Sequence, residues 1–169
     1  MSSPANTVAP APRWAVRAAH AAALTTVPSG LWRIALGLGL PVGYSDEVLR
    51  ENFDIPGWGV VYVIGLSVVS EAFALLTLGL VRPWGEVVPR WIPVIGGRRV
   101  HPLAAVVPAA LGAAALVCIW SGFVFWWSVE ETPAMQGPWH TIVGTLYQPL
   151  VLWGPLLAAV TVSYYRRHR

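Results

Sequence analysis

Two residues are best placed to do chemistry: an arginine and an acid, each inside an apolar run. Arg33 interrupts the run that follows Ala23, and Glu71 interrupts the run from Gly57 to Val81. Each lies about nine or ten residues from the inner end of its run, so the two are expected at similar depth. A desolvated arginine–carboxylate pair offsets costs that neither charge carries alone. Such a pair is either a structural lock or a proton-active, ligand-binding carboxylate. In the third interpretation they do not meet, and burial keeps Glu71 protonated.

A second group of candidates lies near the proline breaks of the last apolar run, at Gln148-Pro149 and Gly154-Pro155. A proline in a membrane helix frees a carbonyl, and such breaks often line cavities. Tyr147, Gln148 and Trp153 are therefore candidate substrate-binding residues together with Arg33, and Glu71 is the candidate catalytic acid. The alternative is an ordinary proline-kinked helix.

Other chemistry lacks its usual signatures. The four histidines show no metal-ligand spacing, so no metal site is expected. The sequence has no nucleophile elbow, CxxC motif or paired metal carboxylates, and no phosphate-binding loop follows a strand. No cofactor is expected.

Composition identifies lipid as the solvent for most of the chain. Hydrophobic residues make up 56% of the 169 residues and charged residues only 11%, against roughly a quarter in soluble domains. The arginines lie at the ends of apolar runs rather than on one polar face, which does not favour nucleic-acid binding.

The apolar runs predict an all-α, polytopic membrane protein built as a four-helix transmembrane bundle. Residues 1–20 are expected to be disordered or interfacial, and residues 21–169 to form the membrane domain. A short amphipathic helix is expected from Asp46 to Phe53, in the first external loop. The four predicted spans cover about 24–43, 58–81, 103–127 and 140–165.

Arginine distribution predicts the orientation. Arg50 is assigned outside and Arg33 within a span, whereas the other arginines flank the spans on one side. Cytoplasmic loops carry such an excess of arginine. The chain is therefore predicted to be a multi-pass plasma-membrane protein with both termini cytoplasmic. The residues assigned to the cytoplasmic side are Arg13, Arg17, Arg82, Arg90, Arg98, Arg99, Arg166, Arg167 and Arg169.

The third span carries a face of small residues that would let another helix approach closely. A homo-oligomer is expected to form through this face, in addition to contact with the lipid bilayer. Its residues are Ala105, Ala109, Gly112 and Ala113.

Three stretches of the chain resemble a family of small four-span membrane proteins common in actinobacteria. They are PSGLWRIALGLGLPVG, SEAFALLTLGLV and RPWGEVVPRWIPVIGGRRV. The resemblance covers most of the chain from Leu24 onwards. It implies the fold and the plasma-membrane location, but no catalytic residue, because the family is described only as hypothetical integral membrane proteins.

Three functions are compatible with these features. The first, favoured by the missing catalytic motifs, is a non-catalytic accessory or interaction protein. The second is an intramembrane enzyme on a lipophilic, isoprenoid-like substrate, with Glu71 as general acid and tryptophans stabilising a cation. The third is a small transporter or permeation protein that uses Arg33 and Glu71.

Overall fold

The computed structural model describes residues 10–85, 87, 97, 100–128 and 135–169, and the side chains of all of these except 126–128. The predicted all-α class is confirmed for these residues. Their helices are α1 (Arg13–Thr25), α2 (Val27–Gly37), α3 (Asp46–Phe53), α4 (Trp58–Gly79), α5 (Pro102–Ser121), α6 (Trp139–Tyr147) and α7 (Trp153–Arg167). Tighter 3₁₀ turns occupy Pro83–Gly85, Gly122–Ser128 and Gln148–Leu152.

Three stretches of helix are long and apolar enough to cross a membrane. They are Trp58–Gly79, Pro102–Phe125 and Trp139–Arg167. The first contains 22 residues, or about 33 Å of helix, which matches the hydrocarbon thickness of a bilayer. These stretches coincide with the second, third and fourth predicted spans.

The first predicted span is not among these three stretches, and the helices in that part of the chain have other bounds. Helix begins at Arg13 rather than near Leu24 and ends at Gly37 rather than Gly43. Gly39, with φ of 74°, ends α2, because Leu40 N–H turns back to the Ala35 carbonyl at 3.1 Å. The stretch therefore lies earlier in the chain than hydropathy indicates, and α1 crosses the expected boundary at residue 20.

Hydroxyl groups stabilise the joint between α1 and α2. Pro28 has no N–H to donate to the preceding turn. Thr25 donates to the Ala22 carbonyl at 2.7 Å, Thr26 to Ala23 at 3.0 Å, and Ser29 to Thr26 at 3.1 Å. Thr26 keeps right-handed helical backbone angles, so α2 follows α1 with only a local interruption of the helix.

Helix α1 packs against both α4 and α7. Its contact face consists of Ala15, Ala19 and Ala22, which are all fully buried. Alanine side chains let the helix backbones approach closely. Close packing of the backbones therefore stabilises α1, which has few large apolar side chains.

Helices α5 and α7 form the most extensive helix contact. Ala113 packs there with Leu157, Val160 and Tyr164. A Cβ on Gly154 would lie 2.9 Å from the Val117 nitrogen and 3.1 Å from the Ala113 carbonyl oxygen, so the two backbones nearly touch.

The small-residue face proposed for self-association is therefore turned towards α7 of the same chain. Three of its members, Ala105, Ala109 and Ala113, belong to the cluster formed with α7, and the Leu157 side chain is the nearest neighbour of Gly112.

The bundle has two chemically different ends. At the first, Arg82 lies 3.5 Å from the His20 ring, and Arg167 donates to the Leu80 carbonyl at 2.7 Å. These contacts join α1 to the end of α4, and the end of α4 to the end of α7. We call this end of the bundle, together with the start of α1 that lies beside Arg167, the arginine end.

The opposite end holds α3, whose bounds match the predicted Asp46–Phe53. Ser45 caps its first turn by accepting from Val48 N–H, and Asp54, with φ of 51°, ends it. The Gly43 carbonyl accepts from Gln136 N–H at 2.9 Å, which ties this end to the segment before α6.

Candidate functional site

Arg33 is the centre of the buried polar cluster and is only 8% exposed. Its Nε donates to Ser67 Oγ at 3.0 Å, and its Nη1 donates to the Tyr147 hydroxyl at 3.4 Å. The guanidinium carbon also lies 5.7 Å from the centroid of the Tyr147 ring. One arginine therefore connects α2, α4 and α6.

Ser67 is suited to accept this bond. It is 2% exposed, and its own hydroxyl hydrogen goes to the Val63 carbonyl at 2.8 Å. This orients the oxygen lone pairs towards the guanidinium. Sequence analysis missed Ser67, although its position four residues before Glu71 marks a polar stripe along α4.

Glu71 does not pair with Arg33, which corrects the expected ion pair. No hydrogen bond or ion pair connects its carboxylate to any residue that the structure describes. A Cβ on Gly30 would lie 3.4 Å from Glu71 Oε1. The antiparallel register thus places Arg33 opposite Ser67 and Gly30 opposite Glu71, so the two charges lie about one helical turn apart.

Aromatic rings surround the arginine's partner. Trp32 contacts the Tyr147 ring edge-on at 5.8 Å, and Trp120 and Phe123 lie 6.1 and 6.2 Å from it. The Trp32 indole donates to the Val42 carbonyl at 3.1 Å, which fixes its position. The electron-rich face of an aromatic ring attracts a nearby cation, so the Tyr147 ring stabilises the guanidinium group beside it.

Gln148 and Trp153 flank the break in the last span. The predicted interruption at Pro149 is confirmed as the 3₁₀ turn Gln148–Leu152, after which α7 starts at Trp153. Gln148 Oε1 and Trp153 Nε1 are both buried, and neither has a hydrogen-bond partner among the described residues. A buried polar atom without a partner lowers the free energy of unfolding. Gln148 Oε1 and Trp153 Nε1 are therefore available to form hydrogen bonds with a ligand near Tyr147.

The five predicted site residues therefore separate into three groups. Arg33 and Tyr147 are in direct contact. Gln148 and Trp153 flank the adjacent 3₁₀ turn without bonding to that pair. Glu71 lies one turn of α4 beyond Ser67.

Two further features bear on the chemistry. Within the part of the chain that the structure describes, no group of three His, Cys, Asp or Glu side chains could hold a metal. Burial raises the pKa of the Tyr44 phenol in the loop after α2, and the nearby Tyr147 raises it further. Tyr44 packs on Trp32 and Phe53. Because its pKa is raised, the phenol is neutral at physiological pH.

The described residues form an all-α protein with three helices long and apolar enough to cross a membrane. An arginine in its interior is bound by two neutral hydroxyl oxygens and lies against an aromatic ring. No protein family, curated protein or solved structure matches this chain. The resemblance to small four-span actinobacterial proteins stays a prediction.

Proposed function

We propose that this chain is a multi-pass plasma-membrane protein with four crossings and cytoplasmic termini, acting as a non-catalytic accessory or interaction protein. The arginine end supports the orientation. It gathers Arg82, Arg167 and the start of α1, whereas the acids Asp46 and Glu51 belong to α3 at the other end. Arginine excess marks the cytoplasmic side.

In this proposal α1 and α2 together form the crossing that corresponds to the first predicted span. From residue 13 to residue 37 they provide about 37 Å of helix, which is enough for a bilayer. Their polar groups are satisfied within the bundle, since the threonines at the joint bond to backbone carbonyls and Arg33 bonds to α4 and α6. This crossing therefore depends on its neighbours.

The observation that carries the non-catalytic function is the commitment of Arg33 to side chains of two other helices. A catalytic cation is normally presented to a cleft. Two cavities, of about 390 and 260 Å³, lie at the two ends of the bundle, and neither is lined by Arg33 or Glu71.

An intramembrane enzyme is the second candidate, and one observation favours it. Glu71 has no cationic partner among the described residues, so its carboxyl group is not committed to an ion pair. Its substrate would be lipophilic and isoprenoid-like, because Glu71 lies on the long apolar helix α4.

One experiment separates the two functions. Membranes containing the wild-type chain or Glu71→Gln are incubated with a lipid extract that includes isoprenoids, and the products are measured by mass spectrometry. We expect identical lipid profiles and equal thermal stability for the two proteins. A product made by the wild type and lost in Glu71→Gln would establish the enzyme instead.

The orientation is tested separately with a fluorescent protein fused after Arg169, which folds only on the cytoplasmic side of a bacterial membrane. We expect fluorescence. A dark fusion, with activity from an alkaline phosphatase fused at the same site, would overturn the proposed topology.

A further inference from the structure

We propose that a cleft at the arginine end binds the phosphate headgroup of an anionic phospholipid. The cleft has a volume of about 260 Å³ and opens between the start of α1 and the end of α7. It is lined by Pro12, Trp14, Val162, Ser163, Arg166 and Arg167.

The charge of the cleft suits an anion. Arg167 is fixed, because its Nη2 donates to the Leu80 carbonyl and its guanidinium lies over the Tyr164 ring at 5.7 Å. Arg166, which directly precedes Arg167 in α7, is exposed. No lining residue is acidic. Guanidinium groups bind phosphate through charge-assisted, often bidentate, hydrogen bonds.

Ser163 provides independent evidence for a ligand. It is only 6% exposed and lines the cleft. Its hydroxyl makes no hydrogen bond to any described residue, whereas the neighbouring Thr161 donates to the Leu157 carbonyl at 2.7 Å. The residue as a whole is buried, but its hydroxyl oxygen is open to the cleft and is available to a ligand there. A phosphate oxygen in the cleft would accept its hydrogen.

The dipole of helix α1 adds an electrostatic field that favours an anion in the cleft. It starts beside the cleft, after Pro12, with no side-chain cap and no acid in its first turn. The amino end of a helix carries partial positive charge and attracts anions. The field acts here together with two arginines and a hydroxyl group.

The surroundings favour a lipid over a soluble phosphate as the source of the anion. Trp14 is 53% exposed at the edge of the cleft, and indole rings prefer headgroup depth. The apolar Val162 is 49% exposed and leads from the cleft to the outer surface of α7, where an acyl chain would lie. Basic pockets between cytoplasmic helix ends are typical headgroup sites.

The test uses the full chain in neutral detergent micelles, titrated with phosphatidylglycerol or with phosphatidylcholine, and follows bound lipid by native mass spectrometry. We expect preferential binding of phosphatidylglycerol. Arg166→Gln should weaken that binding about fivefold, the contribution of one arginine near an anionic surface. Equal binding of the two lipids would overturn the proposal.

Arg169→Gln is the matched control. Arg169 is exposed at the same end and carries the same charge, but it stacks on Tyr165 and does not line the cleft. We expect less than a twofold change. If both substitutions weakened binding equally, general surface charge would explain it and the specific site would be excluded.

Two further measurements complete the test. Ser163→Ala should weaken phosphatidylglycerol binding about threefold, the effect of one lost hydrogen bond, and this variant decides the matter if Arg166→Gln does not fold. Inorganic phosphate at millimolar concentration should not displace the lipid. Displacement by free phosphate would assign the cleft to a soluble anion instead.

Discussion

The α2–α4 and α5–α7 contacts both contain a closely packed glycine, but their surroundings differ. At α5–α7, Gly154 brings the helix backbones together and the surrounding cluster is apolar. At α2–α4, Gly37 packs against the Val63 and Ile64 side chains, and the same contact holds the buried Arg33. The first contact is dry packing, whereas the second houses charge. A small residue in a membrane helix therefore does not by itself indicate an interface between chains.

The largest expected effect is at the dry contact. Gly154→Ala places a Cβ 2.8 Å from Val117 Cγ2 and 2.9 Å from its backbone nitrogen. The backbone must shift, which should cost about 3 kcal/mol of unfolding free energy. Gly112→Ala on the facing helix is the control, since its Cβ would only reach Leu157 at 3.9 Å. Equilibrium unfolding in mixed micelles measures both, and equal stabilities would show that the contact is not close.

The next effect is at the charged contact. Ser67→Ala removes the acceptor of Arg33 Nε and should cost about 1.5 kcal/mol. In an Arg33→Met background the same change should cost almost nothing, because no cation is left to satisfy. This double-mutant cycle isolates the interaction. Additive costs would mean that Ser67 acts through packing alone.

Arg33→Met alone sharpens the comparison by making the charged contact apolar. Ser67 would still donate to the Val63 carbonyl. The half-buried Tyr147 hydroxyl would lose only a long hydrogen bond of 3.4 Å. Replacing a buried charge with an apolar side chain of similar size is often neutral or stabilising. We expect the free energy of unfolding to change by less than about 1 kcal/mol. A large loss would mean that the arginine holds the bundle together.

A smaller effect is expected for Gly37→Ala. The new Cβ would lie 3.0 Å from Val63 Cγ2 and 3.1 Å from Ile64 Cγ1. These are side-chain atoms that can rotate away, so the cost should be about 1 kcal/mol. Gly65→Ala on α4 places a Cβ with nothing within 4 Å and should stabilise by about 0.5–1 kcal/mol. Thermal unfolding would rank the pair, and a reversed order would contradict the register.

The smallest effect concerns pH. The raised pKa of Tyr44 means that the folded state favours the neutral phenol. Below about pH 10 both states are neutral; above it the unfolded chain loses its proton first, so stability falls as pH rises. Tyr44→Phe should leave stability unchanged at pH 7 and reduce this alkaline loss. An identical pH profile for the two proteins would exclude Tyr44 as its source.

The sequence predicts those elements whose signals are local. The bounds of α3 follow from Ser45 at its start and from the charges of its first turn. The spans from residue 58 onwards follow from apolar length. Hydropathy does not predict the bounds of α1. This helix is buried because its alanines pack closely against α4 and α7, and hydropathy does not measure how closely two helices pack.

The candidate site shows a different limit. Depth counting places Arg33 and Glu71 near the same level, and the structure agrees to within one turn. Depth does not determine rotation about the helix axis or the exact register, and both decide which side chains meet. Tyr147 was named as a candidate, but its contact with Arg33 depends on how α6 packs against α2.

The bonds of Arg33 also constrain how the protein is made. Its partner Ser67 follows 34 residues later, and Tyr147 follows 114 residues later. During synthesis the ribosome therefore delivers this cation long before its last ligand exists. Helix α2 therefore stays incompletely hydrogen-bonded until α6 is translated, so the bundle closes around a segment that was made well before its last partner.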